Sequence, residues 1–137
     1  MINETSTVVD RLRAATTAHD LDAIVECFSE TYRNETPIHP GRGFTGRAQV
    51  RANWQHILAA VPNVIAEVTR QVIDDDVIWS EWEMRGTRGD GRPHLMRGVI
   101  IFGVAGEAIE WARFYLEPVD AGEEDADTAV QRIVGSA

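Results

Sequence analysis

The chain has 137 residues, one domain's length, with ordinary proportions of apolar (44%) and charged (26%) residues. It carries 22 acids against 13 bases, a net charge of −9, and every base is Arg. Without Lys there is no Schiff-base chemistry and no Walker A phosphate loop, and an acidic chain with no basic run is a poor nucleic-acid binder. The single cysteine, Cys27, excludes an internal disulfide and a Cys-based zinc site. The polar start, Met1–Thr7, is unlike a signal peptide, and the longest apolar run, Gly98–Val104, is too short to span a bilayer. The expectation is a cytoplasmic protein that binds neither membrane nor nucleic acid.

Thr7-Val8-Val9-Asp10 reads as a capping-box-like helix start, followed by Val8, Val9, Leu12 and Ala15 at helical spacing. Asp20 can cap a second short helix, with Leu21, Ile24, Val25 and Phe28 at i, i+3, i+4, i+7. Thr31–Glu35 reads as a short strand, and Thr36–Gly46, rich in Pro and Gly, as a loop. Thr45 can cap a third helix whose stripe is Val50, Trp54, Ile57, Leu58 and Val61; Pro62 ends it. From Asn63 the period becomes two. Val64–Ile73, Val77–Thr87, His94–Gly103 and Ala108–Glu117 read as four strands. Asp74–Asp76, Asp90-Gly91 (a type I′ signal) and Ala105-Gly106 make the turns. A tail from residue 119 holds Asp120, Glu123, Glu124, Asp125 and Asp127 against Arg132, and its end, around Ala129–Val134, reads as a small helix. The predicted class is α+β: N-terminal helices packed on the concave face of a curved antiparallel sheet, with an apolar pocket between the layers, over residues 1–118.

Several short pieces, taken in order, carry a resemblance. They are Ala18-His19-Asp20-Leu21-Asp22-Ala23, Tyr32-Arg33-Asn34 before a Pro-rich loop, and Gly46-Arg47 before the third helix. Trp82 with Gly86-Thr87, and Ile109 with Arg113-Phe114-Tyr115, complete the set. Over roughly residues 7–118 the chain resembles the SnoaL-like branch of the nuclear transport factor 2-like superfamily, whose relatives include polyketide cyclases, ketosteroid isomerases and limonene epoxide hydrolase. The resemblance implies a cone-shaped α+β barrel with a deep apolar pocket. It also implies, commonly, a homodimer through the outer sheet face.

The same resemblance suggests site residues. Tyr32 and Asn34 match the Tyr-x-Asn pair that holds water in the epoxide-hydrolase relatives; two apart on a strand, they point the same way. A gap-free count from the Asp90-Gly91 turn places Glu81 and Glu83 where those relatives carry an Arg and an Asp. Phe114 falls where they carry the water-activating Asp. That constellation is broken, so limonene epoxide hydrolase activity is not expected. If both face a closed apolar pocket, Glu83 and Glu81 could act as general acid and base, with Tyr32 and Asn34 positioning substrate or water. Alternatively, they face solvent or pair with Arg97 and Arg113. Periodicity alone makes Ile78, Ser80, Trp82 and Met84 the more buried face; the family count favours Trp79, Glu81, Glu83 and Arg85 facing the pocket. Under the family register Met96 and Phe114 would line the pocket, with Gly98 leaving room for a ligand and Trp54 as a substrate platform. The alternative is that Met96, Phe114 and Trp54 are plain core residues, and His94 at the mouth is a shuttle or a plain rim residue. No metal or cofactor motif is present. The sequence therefore points to a cofactor-independent isomerase, cyclase or hydrolase acting by proton transfer on an apolar, polyketide- or terpenoid-like molecule. The alternative is a non-catalytic ligand-binding or dimerisation module.

Overall fold

A computed structural model describes residues 7–135. The elements are α1 (Val8–Thr17), α2 (Leu21–Glu26), β1 (Phe28–Glu35), β2 (Phe44–Thr45), α3 (Arg47–Ala60), β3 (Ile65–Asp74), β4 (Val77–Thr87), β5 (Pro93–Ala105), β6 (Ala108–Pro118) and α4 (Ala126–Val134).

Helix α1 starts on a reciprocal cap: the Asp10 amide donates to the Thr7 hydroxyl (3.1 Å), and the Thr7 amide donates to the Asp10 carboxylate (2.9 Å). Ten residues make a marginal helix in water, so α1 depends on its buried stripe of Val8, Val9, Leu12, Ala15 and Thr16. Helix α2 is capped by Asp20, whose side chain accepts from the Ala23 amide. It stops at Glu26, earlier than helical spacing alone predicts. Phe28 opens β1 instead of closing the helix, because its ring goes into the core (2% exposed) beside Tyr32.

The sheet has six strands in the order β2-β1-β6-β5-β4-β3. All neighbours are antiparallel except β1 and β6, which are parallel, so the sheet is mixed. This parallel pair brings the first strand beside the last and rolls the sheet around α1–α3. The segment 36–46 is less plain than a loop. It holds a 3₁₀ turn at Pro40–Arg42 and the two-residue strand β2, and Thr45 pairs there with Arg33. The N-cap of α3 is accordingly Gly46 rather than Thr45, with no side-chain cap bond.

The core lies between the helices and the concave sheet face. Val9, Ile24, Tyr32, Val64, Ile100, Phe102, Ile109 and Ala112 are each at most 1% exposed. Along β4, Ile78, Ser80, Trp82 and Met84 are buried, and the residues between them are exposed or partly so. Within the described residues, no helix is long and apolar enough to cross a membrane.

Helix α4, begun by an Asp125 cap on the Thr128 amide (2.9 Å), leaves Val130, Ile133 and Val134 exposed. The side-chain bonds of this region run within it: Arg132 to Glu124, Gln131 to Asp127. Deleting residues 121–137 is therefore expected to change unfolding free energy by no more than about 0.5 kcal/mol, the usual scale for exposed changes. A larger loss in urea titration would mean that α4 packs on the body in solution.

Candidate functional site

Strand β1 alternates, so Tyr32, Asn34 and Thr36 project on one face, toward the helices. Tyr32 is 1% exposed. Its ring meets Phe28 and Phe44 edge-on, at centroid distances of 4.7 and 5.9 Å. The Tyr32 hydroxyl donates to Asn34 Oδ1 at 2.8 Å, and Asn34 Nδ2 donates to Thr36 Oγ1 at 3.3 Å. These three side chains form a short polar line on an apolar wall. The second Nδ2 hydrogen of Asn34 and the Thr36 hydroxyl hydrogen are left to meet a bound molecule. Burial pushes the Tyr32 phenol far above its ordinary pKa, so it stays neutral.

The cavity against this wall has a volume of about 310 Å³, within the range of small-ligand sites. Helix α3 contributes Val50, Asn53, Trp54 and Ile57; Met84 comes from β4; His94 and Met96 from β5; Phe114 and Leu116 from β6. Phe28 and Phe44 complete the apolar lining, and Arg42 and Glu117 join His94 in the polar part. Burial, and then the charge of Arg88, hold the His94 pKa below its ordinary value, so the ring is neutral at pH 7. Glu117 is fixed by the loop after β1: His39 Nε2 lies 3.2 Å from its Oε1 and Arg42 Nη1 3.9 Å from its Oε2. Among the described residues, no group of three or more His, Cys, Asp or Glu side chains could hold a metal ion.

Tyr32, Asn34, Trp54, His94, Met96 and Phe114 thus lie together around one cavity. Three expected residues do not. Glu81 and Glu83 point to the opposite, outer face of the sheet. Glu83 binds Arg97 at 2.9 Å and Arg85 at 3.0 Å, and these guanidinium groups, Arg97 first, hold its carboxyl below the usual range. Glu81 sits 3.9 Å from Arg70, with its side chain 56% exposed. The assignment of these glutamates as acid and base is therefore corrected. A one-residue change in count moves every side chain of a strand to the other face. The β4–β5 turn is not the two-residue Asp90-Gly91 turn. The Arg88 amide donates to the Arg92 carbonyl, and Gly91, at φ +86°, helps close a three-residue loop.

Gly98 is the third correction. It borders an outer groove with Glu81, Glu83 and Arg97, not the cavity. A Cβ at Gly98 would run into the backbone carbonyl of Tyr115 on β6. Glycine serves close strand approach there rather than ligand room.

Sequence reasoning missed several lining residues. Thr36 continues the Tyr32/Asn34 alternation and was within reach of that signal. Arg42 comes from the irregular loop. Glu117 is on the outer parity of β6, paired with Arg97, yet borders the cavity where the strand ends and the His39 loop meets it.

A protein-family model, the SnoaL-like domain, matches residues 9–114. The chain belongs to the SnoaL-like family. No curated protein matches it. Among solved structures, a hypothetical protein from Catenulispora acidiphila with a ketosteroid isomerase-like fold, in complex with trimethylamine, is 20% identical. It aligns over 82% of this chain and 87% of its own with a TM-score of 0.70. An NTF2-like protein of unknown function from an Exiguobacterium species is 17% identical, covering 84% of this chain and 100% of its own (TM-score 0.69). An epoxide hydrolase/cyclase-like enzyme of pyran ring formation in the polyether salinomycin, SalBIII, is 21% identical over 82% of this chain and 88% of its own (TM-score 0.69). At these identities the likeness shows the fold. The helices on a six-stranded, largely antiparallel mixed sheet are those of an NTF2-like protein.

Proposed function

We propose that this SnoaL-like protein binds a small, mostly apolar molecule carrying an oxygen function and moves a proton on it without a cofactor. The outcome would be isomerisation, cyclisation or addition of water. The observation that carries this reading is the Tyr32–Asn34–Thr36 line on an otherwise largely apolar wall. Such a wall buries hydrocarbon and offers hydrogen-bond donors at one place, which orients a carbonyl, hydroxyl or ether oxygen. His94, neutral at pH 7 and in the lining, and Glu117 supply groups that can accept a proton at the rim. SalBIII, an epoxide hydrolase/cyclase-like enzyme of pyran ring formation in a polyether, supports the reading that this fold can host ring-forming chemistry at an oxygen function.

A second reading is a non-catalytic ligand-binding or dimerisation module, and the outward Glu81 and Glu83 favour it by removing both carboxylates first expected in the site. In either reading a second copy covers the outer sheet face, where Trp79, Val72 and Tyr115 are exposed.

The binding half is tested with a pair of ligands of one shape, a bicyclic terpenoid ketone and its parent hydrocarbon, by calorimetry. The variant is Tyr32→Phe/Asn34→Leu. It replaces both hydrogen-bond partners by apolar groups of similar size, a change that tends to leave folding little affected. Ketone affinity is expected to fall about tenfold, one lost hydrogen bond or about 1.4 kcal/mol, while the hydrocarbon is unaffected or binds more tightly. Equal effects on both ligands would remove the polar line from the site.

A further inference from the structure

The geometry points to Glu117 as the proton-transfer residue of this pocket, with His39 as the residue that positions it. This assignment rests on the proton-transfer reading above and replaces the glutamates of β4.

Among the described residues that line the cavity, Glu117 is the one carboxylate. It stands at the end of β6, after Leu116, where the strand leaves the apolar wall for the rim. A free carboxylate on a strand end would swing among rotamers and lose its aim. Glu117 does not stand free: His39 Nε2, 3.2 Å from Oε1, ties one oxygen to the loop after β1, and Arg42 Nη1 lies farther off, 3.9 Å from Oε2. Oε2 is thus the less tightly held oxygen. The side chains of His39 and Glu117 are 35% and 40% exposed, so protons can exchange with water after each turnover.

His94 lies across from it. Because β5 and β6 pair Arg97 with Glu117, the two residues are three positions out of register on neighbouring strands. Their Cα atoms are then about 11 Å apart, from a rise of roughly 3.4 Å per residue and a strand spacing of about 4.8 Å. His94 faces inward from β5 and Glu117 borders the same cavity from its rim, so a reacting group can sit between them. Glu117 takes a proton from carbon or from water on one side. The polar line of β1 holds the substrate oxygen. The proton later returns to the product or leaves to solvent, so no oxidant, reductant or co-reactant is needed.

The substrate being unidentified, the test uses 5-nitrobenzisoxazole as a probe. A base removes its C3 proton, the ring N–O bond breaks, and the electron pair goes to the phenolate oxygen, giving a coloured cyanophenol. The full chain is expected to bind the probe, read as amide shifts at Phe44, Trp54 and Phe114 by NMR, and to open it faster than acetate does. Glu117→Gln should lower kcat about 100-fold with KM within about twofold, the scale of a lost general base. His39→Ala should lower kcat about tenfold at unchanged KM, and His39→Gln, which keeps a donor near Oε1, should recover most of the rate. Glu83→Gln, on the outer face, should behave as wild type.

Glu117→Gln at the wild-type rate overturns the assignment, as does a loss seen only in His94→Gln. Probe that binds in the cavity but opens no faster than in acetate also overturns it, and leaves the binding reading standing. Probe that gives no shifts at the lining residues overturns both.

Discussion

Trp82→Ala is expected to lower the unfolding free energy by about 3–5 kcal/mol, and Trp79→Ala, three positions earlier on the same strand, by less than about 1 kcal/mol. Trp82 is 2% exposed on the concave face of β4, tilted against Phe102 at 6.2 Å between ring centroids. Its indole Nε1 donates to Ser80 Oγ at 2.8 Å, and the Ser80 hydroxyl donates to the Ile100 carbonyl at 2.7 Å. Truncation removes a large buried ring and leaves a cavity that close-packed neighbours only partly fill. Ser80 also loses the donor on its buried oxygen. Trp82→Phe keeps most of the ring and should cost about 1–2 kcal/mol, largely for the lost N–H partner. Trp79 is 52% exposed on the outer face, so its truncation removes little buried surface in a single chain. The contrast is a measurement of strand register. Equal losses at the two positions, read from urea midpoints at constant m-value and at dilutions where the chain is monomeric, would put β4 in a different register from the one described.

Tyr32 governs the alkaline side of stability. Burial raises its pKa in the folded state, against about 10 in the unfolded chain. A group raised on folding contributes stability that is fully present below its unfolded pKa and is lost as pH rises toward the folded value. From pH ~10 upward, the unfolded chain releases the phenol proton and the folded one does not, so each further unit costs about 1.4 kcal/mol. By pH 12 the loss from this residue approaches about 2.7 kcal/mol, a large share of a stability that is typically about 5–15 kcal/mol. The chain has no Lys, so the commonest source of alkaline titration does not obscure the effect. Tyr32→Phe should be less stable at pH 7 by about 1–2 kcal/mol, because Asn34 Oδ1 loses its donor, yet flatter above pH 10. Parallel alkaline losses in the two proteins would mean that Tyr32 is not the residue responsible. In a Tyr115→Phe background the phenolate absorbance reports Tyr32 alone, and it should rise only with unfolding.

Much of the fold is legible because each element has a local cause. The Thr7/Asp10 and Asp20 caps, the stripe of α1 and the four period-two strands are all short-range patterns, and all are found. The site is legible where it follows alternation from a fixed residue. Tyr32 and Asn34, Met96 and Phe114 lie on the inner faces of β1, β5 and β6. It fails on β4 because register depends on the length of the turn that precedes β5, and the Asp90-Gly91 pattern predicts a two-residue turn where the chain forms a three-residue loop. Periodicity did point to Trp82 and Met84 as the buried face, and in the folded chain the apolar set is the one inside. Glu117 fails for a different reason. Its strand parity says outer face; only the meeting of the β6 end with the His39 loop turns it to the cavity.

What the sequence determined by itself is therefore the part set by neighbours in the chain. It determined the α+β class and the order of helices and strands. It also set the exclusion of lysine and phosphate-loop chemistry, and an apolar cavity edged by Tyr32 and Asn34. Tertiary structure alone decided which carboxylate reaches that cavity. The choice among Glu81, Glu83 and Glu117 rests on strand register and on a loop that closes over a distant strand end. A shift of one residue costs nothing in local propensity but reverses the face on which charge is buried. Only the assembled sheet, with its apolar face turned to the helices and its arginines outside, makes the energies of the two faces differ.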